Sequence, residues 1–184
     1  MRKQNKKKFS FFVSFWTFLR LVAVVTLWIW HPFWGAVFNI LIDAVDGHMF
    51  EYFGVKRNTY EIYDKWLDLW FYIAIFIYTI QKLTGSPYYW LLIILFIIRL
   101  IGNLSYFKFN KEWLLFVLPN LLEPVFLVVV GFPVIFVWWG NLTVFTVIFV
   151  VKMFIEWWIH IAKLDLTSLL IGKPTRWYRN KNSA

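Results

Sequence analysis

The sequence predicts an all-α fold: a polytopic membrane protein built as a six-transmembrane-helix bundle with both termini cytoplasmic. Three observations predict it. Apolar residues make up 61% of the 184-residue chain and charged residues only 16%, far from the roughly 45–50% apolar usage of soluble domains. Apolar runs long enough to span recur along the chain. Lysine and arginine fall almost entirely on one side of those runs. A soluble domain of this length lacks the polar shell to hide so much apolar surface, so a bilayer is the expected solvent.

The runs lie at about 13–31, 33–50, 64–82, 88–103, 113–139 and 141–163. Each approaches the roughly 20 residues a spanning helix needs, with tilt allowing some latitude. They form one domain over residues 1–184, with a basic segment at 1–12 and a basic tail at 164–184. Arg2, Lys3, Lys6, Lys7 and Lys8 precede the first run, as in a secretory signal. That run is too long for a signal and has no A-x-A-like cleavage site, so it reads as a retained helix. The fifth run is interrupted by Pro119, Pro124 and Pro133, which predicts a kinked or re-entrant segment.

With the N-terminus inside, the cytoplasmic segments hold Arg2 to Lys8, Lys56, Arg57, Lys65, Lys108, Lys111, Lys163, Lys173, Arg176, Arg179 and Lys181. The opposite loops hold only Lys82. This asymmetry sets the orientation and requires an even number of spans. The net charge of +9 comes from short basic runs beside apolar segments, which fits anionic membrane lipids and gives no sign of nucleic acid. There are no cysteines, which excludes disulfides, thiolate nucleophiles and sulfur-bound metals. Trp28, Trp30, Trp34, Tyr88, Tyr89, Trp90, Trp138 and Trp139 bracket the predicted boundaries as an interfacial aromatic belt.

Four aspartates break the apolar pattern. Asp43 and Asp46 are spaced i, i+3 near the end of the second run, and Asp64 and Asp68 are spaced i, i+4 where the third run opens. Each pair shares a helix face, and the intervening hairpin returns both to one membrane depth. Carboxylates near a bilayer are costly and raise one another's pKa. A divalent cation relieves both penalties, and hard oxygen ligands suit Mg²⁺, Mn²⁺ or Ca²⁺. The alternative is a solvated helix end, with Asp64 and Asp68 favoured by the N-terminal dipole.

Asp43-x-x-Asp46-Gly47 followed by Asp64-x-x-x-Asp68 resembles the signature of the CDP-alcohol phosphatidyltransferases, D-x-x-D-G-x-x-A-R, about eight residues, then G-x-x-x-D-x-x-x-D. Thr17-Phe-Leu-Arg20 is similar to the T-x-x-R that often opens members of this family, and six helices with cytoplasmic termini match as well. The resemblance implies an integral membrane phosphotransferase of phospholipid synthesis, moving a phosphatidyl or phosphoalcohol group from a CDP-linked donor to an alcohol. It implies one or two Mg²⁺ or Mn²⁺ ions held by Asp43, Asp46, Asp64 and Asp68, with Asp68 as general base, a cytoplasm-facing site in an inner or plasma membrane, and pairing of two copies.

The sequence departs from that pattern at three places. Phe50 and Glu51 replace Ala and Arg, and Tyr60 replaces the second Gly. The donor-side positions are then Gly47, Phe50 and Tyr60, where two aromatics would fill the space the family leaves for cytidine. Metal binding is better supported than CDP binding. Two explanations stand: an active enzyme with an altered donor, or a catalytically inactive relative retained for ion binding, lipid binding or assembly.

Arg99, Lys108 and Lys111 flank the next cytoplasmic connection, as contacts to phosphate or acceptor or as topology determinants touching headgroups. Lys152, Glu156 and His160 follow at i, i+4 spacing. A Lys152–Glu156 pair facing the bundle is favoured over a phosphate contact by Lys152. Of the histidines, His48 alone lies near the acidic cluster. Asn103-Leu-Ser105 and Asn141-Leu-Thr143 match the short glycosylation sequon.

Overall fold

In the computed structural model, the described residues are 3–53, 55, 57–109, 113–132 and 138–157, without side chains at 3–10, 48, 51, 57, 58 and 138–141. Every regular element among them is helical: α1 (Lys3–Ala23), α2 (Thr26–Ile29), α3 (Pro32–Tyr52), α4 (Arg57–Lys82), α5 (Tyr89–Phe109), α6 (Trp113–Val117), α7 (Leu122–Gly131) and α8 (Trp138–Glu156). Among the described residues, three segments are long and apolar enough to cross a membrane: Phe11–Ile29, Tyr89–Phe109 and Trp113–Gly131. The acid-bearing α3 and α4 have 21 and 26 residues, and fall outside that set because Asn39, Asp43, Asp46, Lys65 and Asp68 dilute their apolar stretches. The predicted end of the last run, at 158–163, lies outside the described residues.

The helices group into two compact units, Met1–Phe71 and Tyr72–Ala184. In the first, the predicted 13–31 helix is broken at Val24–Val25 into α1 and α2. The break is held by polar side chains, because carbonyls released in an apolar setting need donors. Thr26 Oγ1 donates to the Ala23 carbonyl at 2.6 Å. Asn39 Nδ2 donates to the carbonyls of Ala23 at 3.0 Å and Gly35 at 2.8 Å. Pro32 opens α3, where its fixed φ and missing N–H cost nothing. Gly35 lets α3 approach the Thr26 backbone, since a Cβ there would lie 2.6 Å from the Thr26 oxygen.

The predicted third run corresponds to α4, which begins at Arg57, seven residues ahead of the predicted start. Tyr60, Asp64 and Asp68 therefore align at i, i+4, i+8 on one helix. Asp64 lies beyond the first turn, outside the reach of the N-terminal dipole.

The second unit packs Ile75, Leu92, Leu115, Leu122, Val125 and Phe126 into its core. Phe76 stacks on Phe96 with centroids 4.4 Å apart, and Tyr78 meets Phe126 edge-on. The proline-rich run divides into α6 and α7 around Pro119, the predicted kink, while Pro124 sits in the first turn of α7, where proline is tolerated. Outward side chains such as Phe18, Ile29, Trp90, Leu104 and Val150 are large, apolar and exposed. Exposed apolar side chains of that kind, present in each unit, suit contact with a bilayer.

Candidate metal centre

The acidic residues and their counter-charges all lie within the first unit. From α3, Asp43 and Asp46 project one turn apart, and from α4 come Asp64 and Asp68. One carboxylate oxygen each from Asp43, Asp64 and Asp68 lie within 4.8 Å of one another. Two oxygens on one Mg²⁺ at about 2.1 Å can be no more than about 4.2 Å apart, and on Ca²⁺ about 5 Å. The three carboxylates are thus within a small side-chain adjustment of sharing one hard cation, and their all-oxygen donor set fits it.

Two basic side chains enter this cluster. Arg20, on α1, is 7% exposed and donates through one terminal nitrogen to Asp43 at 2.6 Å and to Asp46. Its other terminal nitrogen lies 3.4 Å from Asp68. Lys65 Nζ donates to Asp64 at 2.7 Å and to Asp68 at 3.0 Å. A planar guanidinium can serve several carboxylates at once, which a point-charged ammonium does less well. Asp46 is fully buried, whereas the Asp43 side chain is 40% exposed, so the cluster opens to solvent on the Asp43 side.

Tyr60 completes the arrangement. Its hydroxyl donates to Asp46 and approaches Asp64 at 3.3 Å. Burial above all, then the carboxylates of Asp64, Asp46 and Asp43, holds this phenol well above its ordinary pKa, so it stays a neutral donor ahead of the predicted 64–82 span. A Cβ on Gly47 would meet the Tyr60 hydroxyl at 3.2 Å. Phe50 is buried against Tyr60, Tyr63 and Phe12, with centroids 5.4, 4.9 and 5.7 Å away. Thr17 shares a 2.6 Å hydrogen bond with the Tyr63 hydroxyl, which ties α1 to α4. Of the two aromatics expected beside Gly47, Tyr60 occupies the space next to it, with Phe50 packed on the tyrosine ring.

Arg20 is the residue that sequence reasoning passed over as a site member, although its signal was present. A lone arginine inside an apolar run is costly and marks a partner, and Thr17 lies one turn before it on α1. Lys65, read from sequence as a topology determinant, is the second.

The remaining expected residues divide. In the second unit, Arg99 is buried, donates to the Tyr72 hydroxyl at 3.2 Å and stacks over its ring at 5.2 Å, so it does not face headgroups. Asn120 Nδ2 donates to the same hydroxyl at 2.9 Å, and the Asn120 N–H donates to Glu156 at 3.3 Å. Glu156 pairs with Lys152 at 3.2 Å, the pair favoured from sequence. Arg99 and Lys152 thereby belong to one buried polar chain. Lys108 Nζ lies over the Phe109 ring at 5.3 Å. Lys111 and His160, and the side chains of His48 and Glu51, lie outside the described residues. No known protein family, curated protein or solved structure matches this chain.

Proposed function

We propose that the chain is an integral membrane phosphotransferase of the CDP-alcohol phosphatidyltransferase type. It would use Mg²⁺ or Mn²⁺ to transfer a phosphatidyl or phosphoalcohol group from a CDP-linked donor, or one altered in its nucleoside part, to an alcohol. In this reading six helices span the membrane, both termini are cytoplasmic and the acidic centre faces the cytoplasm of an inner or plasma membrane. The observation that carries the reading is the approach of Asp43, Asp64 and Asp68 to within 4.8 Å, with Arg20 and Lys65 set among them.

The chemistry follows from those groups. A bound divalent cation would neutralise donor phosphates and polarise the phosphorus under attack. Asp43, Asp64 and one oxygen of Asp68 would hold it, leaving the other Asp68 oxygen to act as base. Arg20 is suited to pair with phosphate oxygens by its fork of donors, moving off the carboxylates when they bind the cation. Lys65 would likewise release Asp68, freeing a carboxylate one turn from Asp64 to take the proton of the acceptor hydroxyl. Most of the rate would come from positioning and charge neutralisation.

A second reading has its own support. Arg20 and Lys65 already compensate the carboxylates, and Tyr60, backed by Phe50, fills the space beside Gly47. These features also suit an inactive relative that keeps the centre for ion binding or assembly. The discriminating experiment incubates purified protein with CDP-diacylglycerol, a panel of alcohols and Mg²⁺ or Mn²⁺, reading CMP release and lipid product. Metal-dependent CMP release that Asp68→Asn lowers by about a hundredfold or more, the scale of general-base catalysis, supports transfer. Absence of CMP release with every acceptor would rule out the CDP-linked donor.

A further inference from the structure

α6, α7 and the link between them make up Trp113–Gly131, a segment apolar enough to cross a membrane, yet the backbone ladder is interrupted within it. The Leu118 N–H bonds the Leu114 carbonyl, and the regular pattern resumes with Val125 on Leu121. Between them Pro119 has no N–H to give. In a continuous helix the Asn120 N–H would bond the carbonyl four residues back, that of Phe116. It turns instead to Oε1 of Glu156 on α8, at 3.3 Å. Asn120 is 3% exposed, so bulk water does not serve that N–H, and an unmet backbone donor in an apolar span is costly.

The same carboxylate oxygen meets Lys152 Nζ, one turn back on α8, at 3.2 Å. The Asn120 side chain is tied in the other direction, its Nδ2 donating to the Tyr72 hydroxyl that also receives Arg99. Asn120 thus joins α4, α5 and α8 at the point where the span is broken. Among the described side chains of α8, Glu156 alone is buried, while Val147, Val150, Val151 and Phe154 are exposed. Apolar helix faces gain little by packing on one another in a bilayer, where lipid tails serve equally well. The contact that favours a docked α8 is therefore the polar one at Glu156.

We propose that Glu156 is a latch: α8 holds the α6–α7 break in place by lending it the acceptor that the interrupted helix cannot supply. The break is then coupled to α8, because drawing α8 away leaves the Asn120 N–H unmet and the link opens. The device lies wholly within the second unit and does not depend on the acidic centre.

The test is hydrogen–deuterium exchange of the full-length protein in detergent, read by mass spectrometry on peptides that contain Asn120. Glu156→Leu removes the acceptor and speeds exchange there by about tenfold or more, the scale of a lost hydrogen bond to a charged group. Glu156→Gln keeps an oxygen without the charge and speeds it by about threefold. Lys152→Met leaves the acceptor in place, and exchange at Asn120 rises less than in Glu156→Leu. Peptides covering Leu92–Phe96 on α5 keep the parent's rate in every variant, which a general loss of stability would not allow. If Glu156→Leu does not fold, Glu156→Gln decides by itself. Parent-like exchange at Asn120 in the variant that folds, a rise of equal size across α5, or an Asn120 amide already unprotected in the parent overturns the proposal.

Discussion

Arg20→Ala removes a side chain that reaches three of the four aspartates. The guanidinium is 7% exposed and meets Asp43 at 2.6 Å, Asp46 at closer range and Asp68 at 3.4 Å. Asp46 and Asp68 are themselves buried, so its loss leaves the Asp46 carboxylate buried without this counter-charge, while Asp68 keeps Lys65. Breaking a buried ion pair from one side costs about 3–5 kcal/mol. The Asp43 contact adds less, because that side chain is open to solvent and screened. For a chain of this size, that destabilisation lowers the unfolding temperature by roughly 10 °C. The assay is thermal unfolding in detergent, followed by far-UV circular dichroism with and without Mg²⁺. A divalent cation binding the folded state returns stability according to its concentration over Kd, about 2.7 kcal/mol at a hundredfold excess. The variant therefore gains more from the cation than the parent does, because no guanidinium competes for the carboxylates. Arg20→Lys falls between the two, since an ammonium lacks the fork that serves several carboxylates. An Arg20→Ala protein that unfolds with the parent, and gains equally from Mg²⁺, would refute this account of the cluster.

Two further predictions concern packing. Gly35→Ala forces a Cβ to within 2.6 Å of the Thr26 carbonyl oxygen, a backbone contact that cannot rotate away. It destabilises the first unit by about 1–3 kcal/mol, read as a lowered unfolding temperature, and an unchanged value would contradict the close α2–α3 approach. Asn103 is fully buried on α5, and among the described residues neither of its side-chain polar atoms has a hydrogen-bond partner. Asn103→Leu removes that unmet amide and raises the unfolding temperature. A fall equivalent to about 1–3 kcal/mol would instead show that water or a ligand satisfies the amide.

The helical class and the acidic pairs were legible in the sequence because both depend on short-range periodicity. Apolar runs and i, i+3 or i, i+4 spacing need no knowledge of tertiary contacts. Helix boundaries were less legible. The polar residues ahead of Asp64 read as a loop, yet Arg57 to Tyr63 extend α4, because Tyr60 and Tyr63 find partners in Asp46 and Thr17. The break at Val24–Val25 was equally hidden, since no proline marks it and it is satisfied in part by Asn39, from the next helix, together with the adjacent Thr26.

The site divides along the same line. Asp43, Asp64 and Asp68 come together as their spacing predicted, because each sits on a regular helix. That Asp46 faces Arg20 and Tyr60 depends on how α1 and α4 pack against α3, which no local pattern encodes. Tyr60 lies beside Gly47, and Phe50 packs against its ring. That the tyrosine hydroxyl would take one of the motif's own carboxylates required the structure.

The most direct measurement of the central claim is anomalous scattering from Mn²⁺ in crystals of the full-length protein. The account predicts a peak about 2–2.5 Å from carboxylate oxygens of Asp43, Asp64 and Asp68, with Arg20 still on Asp46 and Lys65 turned away from the ion. A map with no peak there, and Arg20 and Lys65 still bridging the aspartates at saturating Mn²⁺, would contradict it.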